Sequence, residues 1–194
     1  MKNSFNLLIL FLLLAFVSCA SLNQKRKCKT QPFQELDSLQ RAEKVLNYTI
    51  DLPDDWEKSK YSSGDWYYIK GEFVDSLNYN RRLADVYISS DKIDNECKLE
   101  YTLEDYLDLF LSRKKRMWGK GSSYQLVESK HKKYERMYLL KFKEKFPHAI
   151  YESVVFIIYY KQNGYAVEYK NEEKNFKNYI KDIDKIINSF SIVE

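Results

Sequence analysis

Glycine, proline, cysteine and histidine are all scarce, at 5 Gly, 3 Pro, 3 Cys and 2 His in 194 residues. So little glycine and proline excludes a collagen-like or linker-dominated chain. Three cysteines are too few for a disulfide-built scaffold. Neither His131 nor His148 stands in HExxH or another ligand spacing, or near a cysteine, so no metal site and no cofactor is expected. There is no GxSxG elbow, no SxxK pair and no glycine-rich phosphate cradle. An excess of one charge is also missing: 32 basic residues face 28 acidic ones, a formal net charge of +4, which makes nucleic acid a poor partner. Only one long apolar run occurs, Leu7 to Val17, and it falls short of the roughly 20 residues a membrane-crossing helix needs.

That run follows Lys2 and ends in Phe16-Val17-Ser18-Cys19. A positive residue, a short apolar stretch and a small residue at its end read as a cleaved export signal. The last four residues resemble the lipobox of bacterial lipoproteins, although Phe16 stands where that family usually has Leu. The resemblance implies that residues 1–18 are a signal peptide and that Cys19 carries lipid as the first mature residue. The chain would then be anchored to a membrane of the cell envelope through its N-terminal lipid, without spanning it. With Cys19 so used, Cys28 and Cys97 are left either as a pair or as two single thiols.

Residues 19–44 are polar and basic, with Lys25-Arg26-Lys27, Lys29 and a helix-breaking Pro32, and read as a tether. Its cations would either touch anionic headgroups or serve as a solvated spacer. From residue 45 to 194 the pattern is that of one globular domain. Val45–Leu52 alternates as a strand, stopped by Pro53-Asp54-Asp55. Trp66–Phe73 reads as a second strand lying across from it, Leu83–Ser89 as a third, with Asp75–Asn80 a loop between them. Thr102 caps a helix with Glu104 and Asp105 in its first turn and Arg113–Arg116 in its last, and Gly119 stops it. Leu103, Tyr106, Leu107, Phe110 and Leu111 make one apolar stripe.

Tyr124–Ser129, Tyr134–Lys143 and Ile150–Lys161 return to period two. Val154 to Tyr160 is apolar on both faces, which predicts a central strand covered on both sides. Asn163-Gly164 is the strongest hairpin signal. A final helix is expected to open at Asn171 and to bury Phe176, Tyr179, Ile180, Ile183, Ile186 and Ile187. Two amphipathic helices and six or seven strands joined mostly by hairpins give a layered α+β domain with an antiparallel sheet.

Taken together, the strand ending Leu52-Pro53 with Trp56 after it, the Thr102–Tyr106 helix start, the paired strands Tyr134–Lys143 and Ile150–Lys161, the Asn163-Gly164 hairpin and the close Ile187-Asn188-Ser189-Phe190 resemble the PsbP-like family. That resemblance covers about Val45 to Ile192. It implies an antiparallel β-sheet sandwiched by helices, an α/β/α sandwich, and a non-enzymatic, protein-binding role; no contact motif of a family member matches residue by residue.

For chemistry the sequence offers little. His131, in Lys130-His131-Lys132-Lys133, reads as a surface residue whose neighbours depress its protonation, and His148 as a surface residue after Pro147. Trp56, Tyr61, Trp66, Tyr67, Tyr68 and Tyr79 crowd the first strands. They are either anchors of a binding surface, taken as Trp56, Tyr61, Trp66, Tyr67 and Tyr79, or packing residues that strands select anyway. Lys114, Lys115, Arg116, Lys120, Lys130, Lys132 and Lys133 could gather beside them as a cationic face. The expectation is a lipid-anchored envelope protein of non-catalytic binding or assembly type, with a protein or envelope component as partner. The alternative is a small envelope hydrolase using carboxylates in loops around Asp54 and Asp75.

Overall fold

The computed structural model describes residues 33–34, 47–59, 65–74, 79–93, 100–117, 123–147 and 149–193. Cys19, Cys28, Tyr61, Asp75, Cys97, Gly119 and His148, on which some of the expectations fall, lie outside them. The chain divides into two compact units, Met1–Gln34 with Ile93–Glu100 and Glu35–Lys92 with Tyr101–Glu194. The first holds a short strand, β1 (Phe33–Gln34). The second holds the other described strands.

Its sheet is antiparallel between every pair of neighbours. The strands β3 (Trp56–Lys58), β4 (Asp65–Val74), β5 (Tyr79–Ile93), β6 (Tyr124–Ser129), β7 (Met137–Lys145), β8 (Ile150–Tyr160) and β9 (Asn163–Glu172) lie in the order β3-β4-β5-β9-β8-β7-β6. Of the strand predicted over Val45–Leu52, the described residues 47–52 hold β2 (Tyr48–Thr49). It does not lie across from β4; it pairs with β10 (Ser191–Ile192) at the far end of the sequence, Ser191 opposite Thr49. Tyr79 and Asn80, expected in a loop, already belong to β5 opposite Val74 and Phe73.

Burial follows the pleat. Ala84, Val86 and Ile88 of β5 are buried while Leu83 is exposed, and in β8 every residue from Ser153 to Ile158 is buried, as a strand covered on both faces requires. Val154, Phe156 and Ile158 of β8 and Tyr165, Val167 and Tyr169 of β9 share one core with Ile183, Ile186, Ile187 and Phe190. Val155, Ile157, Leu140 and Phe142 are buried outside that core.

Helix α1 (Leu103–Met117) starts where the sequence places it, through a capping box. The Thr102 hydroxyl oxygen accepts the Asp105 N–H at 3.3 Å, and the Asp105 carboxylate accepts the Thr102 N–H at 2.8 Å. Its predicted stripe, Leu103, Tyr106, Leu107, Phe110 and Leu111, is buried throughout. Tyr106 stands directly over Gly164 of β9, where an added Cβ would come within 2.2 Å of its ring.

Gly164 is therefore not the hairpin turn. Tyr160 pairs with Asn163, so the two-residue turn is Lys161-Gln162, both in the left-handed region at φ 45° and 63°, and Asn163 and Gly164 are strand residues. The final helix also starts later than expected. Asn171 stays in β9 because its side-chain amide donates to the Leu83 carbonyl of β5 at 2.8 Å and to the Tyr169 hydroxyl at 3.2 Å. A single 3₁₀ turn, Phe176–Tyr179, then leads into α2 (Ile180–Ser189), which buries Ile183, Ile186 and Ile187. The strand predicted from Tyr134 begins at Met137, since residues 131–134 form a turn closed by the Glu135 carbonyl accepting the His131 N–H at 3.3 Å. The class is α+β: an antiparallel sheet with two α-helices among the described residues.

Candidate functional site

The aromatics singled out in the sequence separate. Trp56 and Tyr67, each 5% exposed, belong to the core and contribute no surface. Their positions explain it: Trp56 faces Ile69 across β3 and β4, and its indole N–H donates to Asp182 of α2 at 3.1 Å. Trp66 is half-buried, its ring 4.7 Å from that of Tyr87 on β5. Tyr61 and the side chain of Tyr79 lie outside the described residues. Tyr68 is half-buried too, so of the described members of the set Trp56 and Tyr67 leave the surface while Trp66 and Tyr68 remain partly exposed on β4.

What does assemble is a linked network at the β2–β10 end of the domain. The Tyr48 hydroxyl donates to Asp65 at 2.6 Å and lies 2.7 Å from the Tyr67 hydroxyl, and Lys58 pairs with the other Asp65 oxygen at 2.7 Å. Tyr48 also stacks on Phe190 with ring centroids 5.3 Å apart. Phe190, fully buried after α2, meets the edges of Tyr165 and Tyr134. Tyr134 in turn stacks on His131, centroids 4.9 Å apart, while its hydroxyl accepts the Ile192 N–H of β10 at 2.5 Å. Polar and ring contacts thus run without a break from Lys58 to His131, across segments more than seventy residues apart in sequence.

His131 is the residue that sequence reasoning placed wrongly. It is 5% exposed, not a surface side chain. Its Nε2 lies 2.7 Å from the Ile187 carbonyl oxygen, which can only accept, so Nε2 carries the proton. Its Nδ1 accepts the Lys133 N–H at 3.1 Å and so carries none. Burial is the main cause of its lowered pKa, with the Lys133 and Lys132 charges adding to it and the Ile187 carbonyl opposing. A neutral ring thereby braces the last turn of α2 at the Ile187 carbonyl, which also accepts the Phe190 N–H at 3.2 Å. A lysine-rich loop gave no local cue to this, because the partner carbonyl is 56 positions away.

The other groups of the network are equally committed. Tyr48 and Tyr67 are pushed above the usual phenol range, chiefly by burial, and remain neutral donors. Burial alone would lower the Lys58 ammonium; its bond to Asp65 and the nearby Tyr67 oxygen outweigh that and hold it above its ordinary value. Tyr48, Tyr67, Asp65, Lys58, Tyr134 and His131 each have a bonding partner, so the network fixes position. Among the described residues no group of three or more histidine, cysteine or carboxylate side chains is placed to hold a metal. Asp54 and Asp55 are exposed in the turn before β3.

The cationic face divides likewise. Lys114 is bonded to Glu168 at 2.6 Å, Arg113 to the buried Asp91 at 2.7 Å, and the Lys115 ammonium lies 5.7 Å from the Tyr124 ring centroid. Lys120 and the side chain of Arg116 lie outside the described residues. Lys130, Lys132 and Lys133 are exposed together on the turn that His131 locks.

Neither a family model nor a curated protein matches the sequence. Solved structures do. LpqN, involved in cell envelope biogenesis of Mycobacterium tuberculosis, matches with a TM-score of 0.51 and 10% identity over 76% of this chain and 83% of LpqN. A protein of Bacteroides thetaiotaomicron VPI-5482 matches with a TM-score of 0.50 and 14% identity over 76% of this chain, but this chain covers only 46% of it. PA94 of Pseudomonas aeruginosa, of unknown function, gives 0.47 and 12% over 71% of this chain and 86% of PA94. At these identities the likeness is one of fold, and the shared fold is α+β with an antiparallel sheet.

Proposed function

We propose that this chain is a lipid-anchored cell-envelope protein whose α+β domain binds or assembles with another envelope component and catalyses no reaction. The observation that carries the reading is the leader, Lys2 followed by the apolar run to Val17 and then Ser18-Cys19. Cys19 is the lipid-bearing residue, and two or more acyl chains on it make attachment stable where one would be marginal. The finer fold reading is the PsbP-like α/β/α sandwich, supported by the two separate sets of buried sheet residues and by α1 lying against Gly164. The envelope assignment is supported by the likeness to LpqN, itself a protein of cell envelope biogenesis. The non-catalytic role is supported by the saturation of the β2–β10 network, which leaves His131 no lone pair for a substrate.

Metabolic labelling with a fatty-acid probe tests the anchor: wild type should incorporate the probe and Cys19→Ala should not, and equal labelling of both refutes it. Crosslinking in intact membranes tests the binding role. A discrete partner is the expected product, and a chain that stays an inert monomer under all conditions counts against it.

A further inference from the structure

We propose that the turn carrying Lys130, Lys132 and Lys133 docks the domain onto anionic phospholipid headgroups of the membrane that holds its anchor. The inference rests on the lipid-anchor reading for its setting, and on three features of the structure for its content.

The first is charge. The cations of the sheet and of α1 are mostly spoken for, as in Lys58–Asp65, Arg113–Asp91 and Lys143–Glu173. The ammonium groups of Lys130, Lys132 and Lys133 have no ion-pair partner among the described residues, with Glu135 the single acid exposed on the same turn. The second is rigidity. His131 bonds the turn to the end of α2, and Tyr134 bonds it to β10, so the three cations are presented on a fixed frame and little ordering remains to be done on docking.

The third is place. The Val193 N–H donates to the Asn47 carbonyl at 2.7 Å, and the Ile192 N–H to the Tyr134 hydroxyl. The turn therefore lies beside Asn47, which follows Cys19 by 47 − 19 = 28 positions in sequence. Val193, 49% exposed, adds an apolar residue to the same place. The stretch before Asn47 also carries Lys25-Arg26-Lys27 and Lys29, cations of the same sign. Each lysine near an anionic surface favours contact about fivefold, so three acting together favour it roughly a hundredfold. For a free domain that is weak. For one already tethered, contact is intramolecular, and such a bias suffices to choose which end faces the membrane.

The test uses the full chain purified from membranes and placed on vesicles of phosphatidylcholine alone or of equal parts phosphatidylcholine and phosphatidylglycerol. Acetylation rates of individual lysines are read by mass spectrometry. On the anionic vesicles Lys130, Lys132 and Lys133 should react about tenfold more slowly than on the neutral ones, and the difference should vanish at about 1 M salt, where screening acts over roughly 3 Å. Lys145, exposed at the other end of β7 and roughly 27 Å along the strand, should not change.

Energy transfer from tryptophan to a dansyl lipid gives a second measure. It should be stronger on anionic vesicles for the wild type and equal on both for the exposed-site variant K130E/K132E/K133E. Equal lysine rates on both vesicles overturn the proposal even where the chain is firmly anchored. Protection seen in intact envelopes but not on phosphatidylglycerol overturns it in favour of an acidic protein or polysaccharide. Failure to attach to neutral vesicles, with protection on anionic ones preserved, removes the anchor and leaves the docking.

Discussion

Replacing Gly164 by alanine separates two reasons for a glycine after asparagine. If the residue supplied a left-handed turn conformation, the cost would lie in the backbone and would not depend on any other side chain. In the structure it is a strand residue, and the added methyl would lie 2.2, 2.3 and 2.4 Å from Cε2, Cδ2 and Cζ of Tyr106. Carbon atoms in contact sit about 3.5–4.0 Å apart, so ring and strand must separate by more than about 1 Å. Tyr106 is completely buried in the stripe of α1 and has little room to retreat. Overpacking of this kind costs about 1–3 kcal/mol, against which the stiffer unfolded chain returns about 0.4–1 kcal/mol. The expected net loss is about 1–2 kcal/mol, or roughly 2–8 °C in melting temperature for a chain of this size.

Urea denaturation of wild type, Gly164→Ala, Tyr106→Leu and the double variant measures it. Because the methyl and the ring compete for one volume, the double variant should be more stable than the two separate losses predict, by about 1 kcal/mol or more. A Gly164→Ala protein as stable as wild type, or losses that simply add, would refute the close approach of α1 to β9.

Three further outcomes follow from other sites. Gln162→Gly should raise stability by about 0.5–1 kcal/mol in the same assay, because a left-handed conformation costs an L-residue about 1–2 kcal/mol and glycine gives back part of that in chain entropy. His131 binds its proton less readily folded than unfolded, where its value is about 6.5; the unfolded chain therefore takes up more protons as pH falls, and the contribution of His131 to stability is full above that value and is lost as pH drops through it toward the folded pKa. Stability followed from pH 8 to 5 should show this fall in wild type and a shallower one in His131→Gln, and identical slopes would exclude the residue as the source. Arg113→Met strands the buried Asp91 carboxylate and should cost about 3–5 kcal/mol by urea denaturation, with Asp91→Asn added to it recovering a large part.

What could be read from the chain alone was what neighbours in sequence decide. The Thr102–Asp105 box is closed within four residues, and the β8 run is long enough to show burial on both faces without reference to a partner. The strand opposite Tyr48, by contrast, comes from Ser191 and Ile192, and nothing in Val45–Leu52 encodes that choice over the nearer β4. Asn171 carries the chemistry of a helix cap, yet the Leu83 carbonyl from β5 claims its amide and the strand continues. The aromatics show the same limit from the other side. Alternation marks Tyr67 and Trp56 as residues with a preferred face, but whether that face meets solvent or a helix depends on α2, whose Asp182 receives the Trp56 indole N–H.

His131 is the sharpest instance, since the lysines that made it look solvated do stand in solvent, while the imidazole between them turns inward to a carbonyl of α2. One turn therefore does opposite things with adjacent side chains, holding the fold with one and facing outward with three. A pattern read residue by residue averages over that division. For this reason the docking surface we propose is sought where locked backbone presents charge rather than where aromatic residues are most frequent.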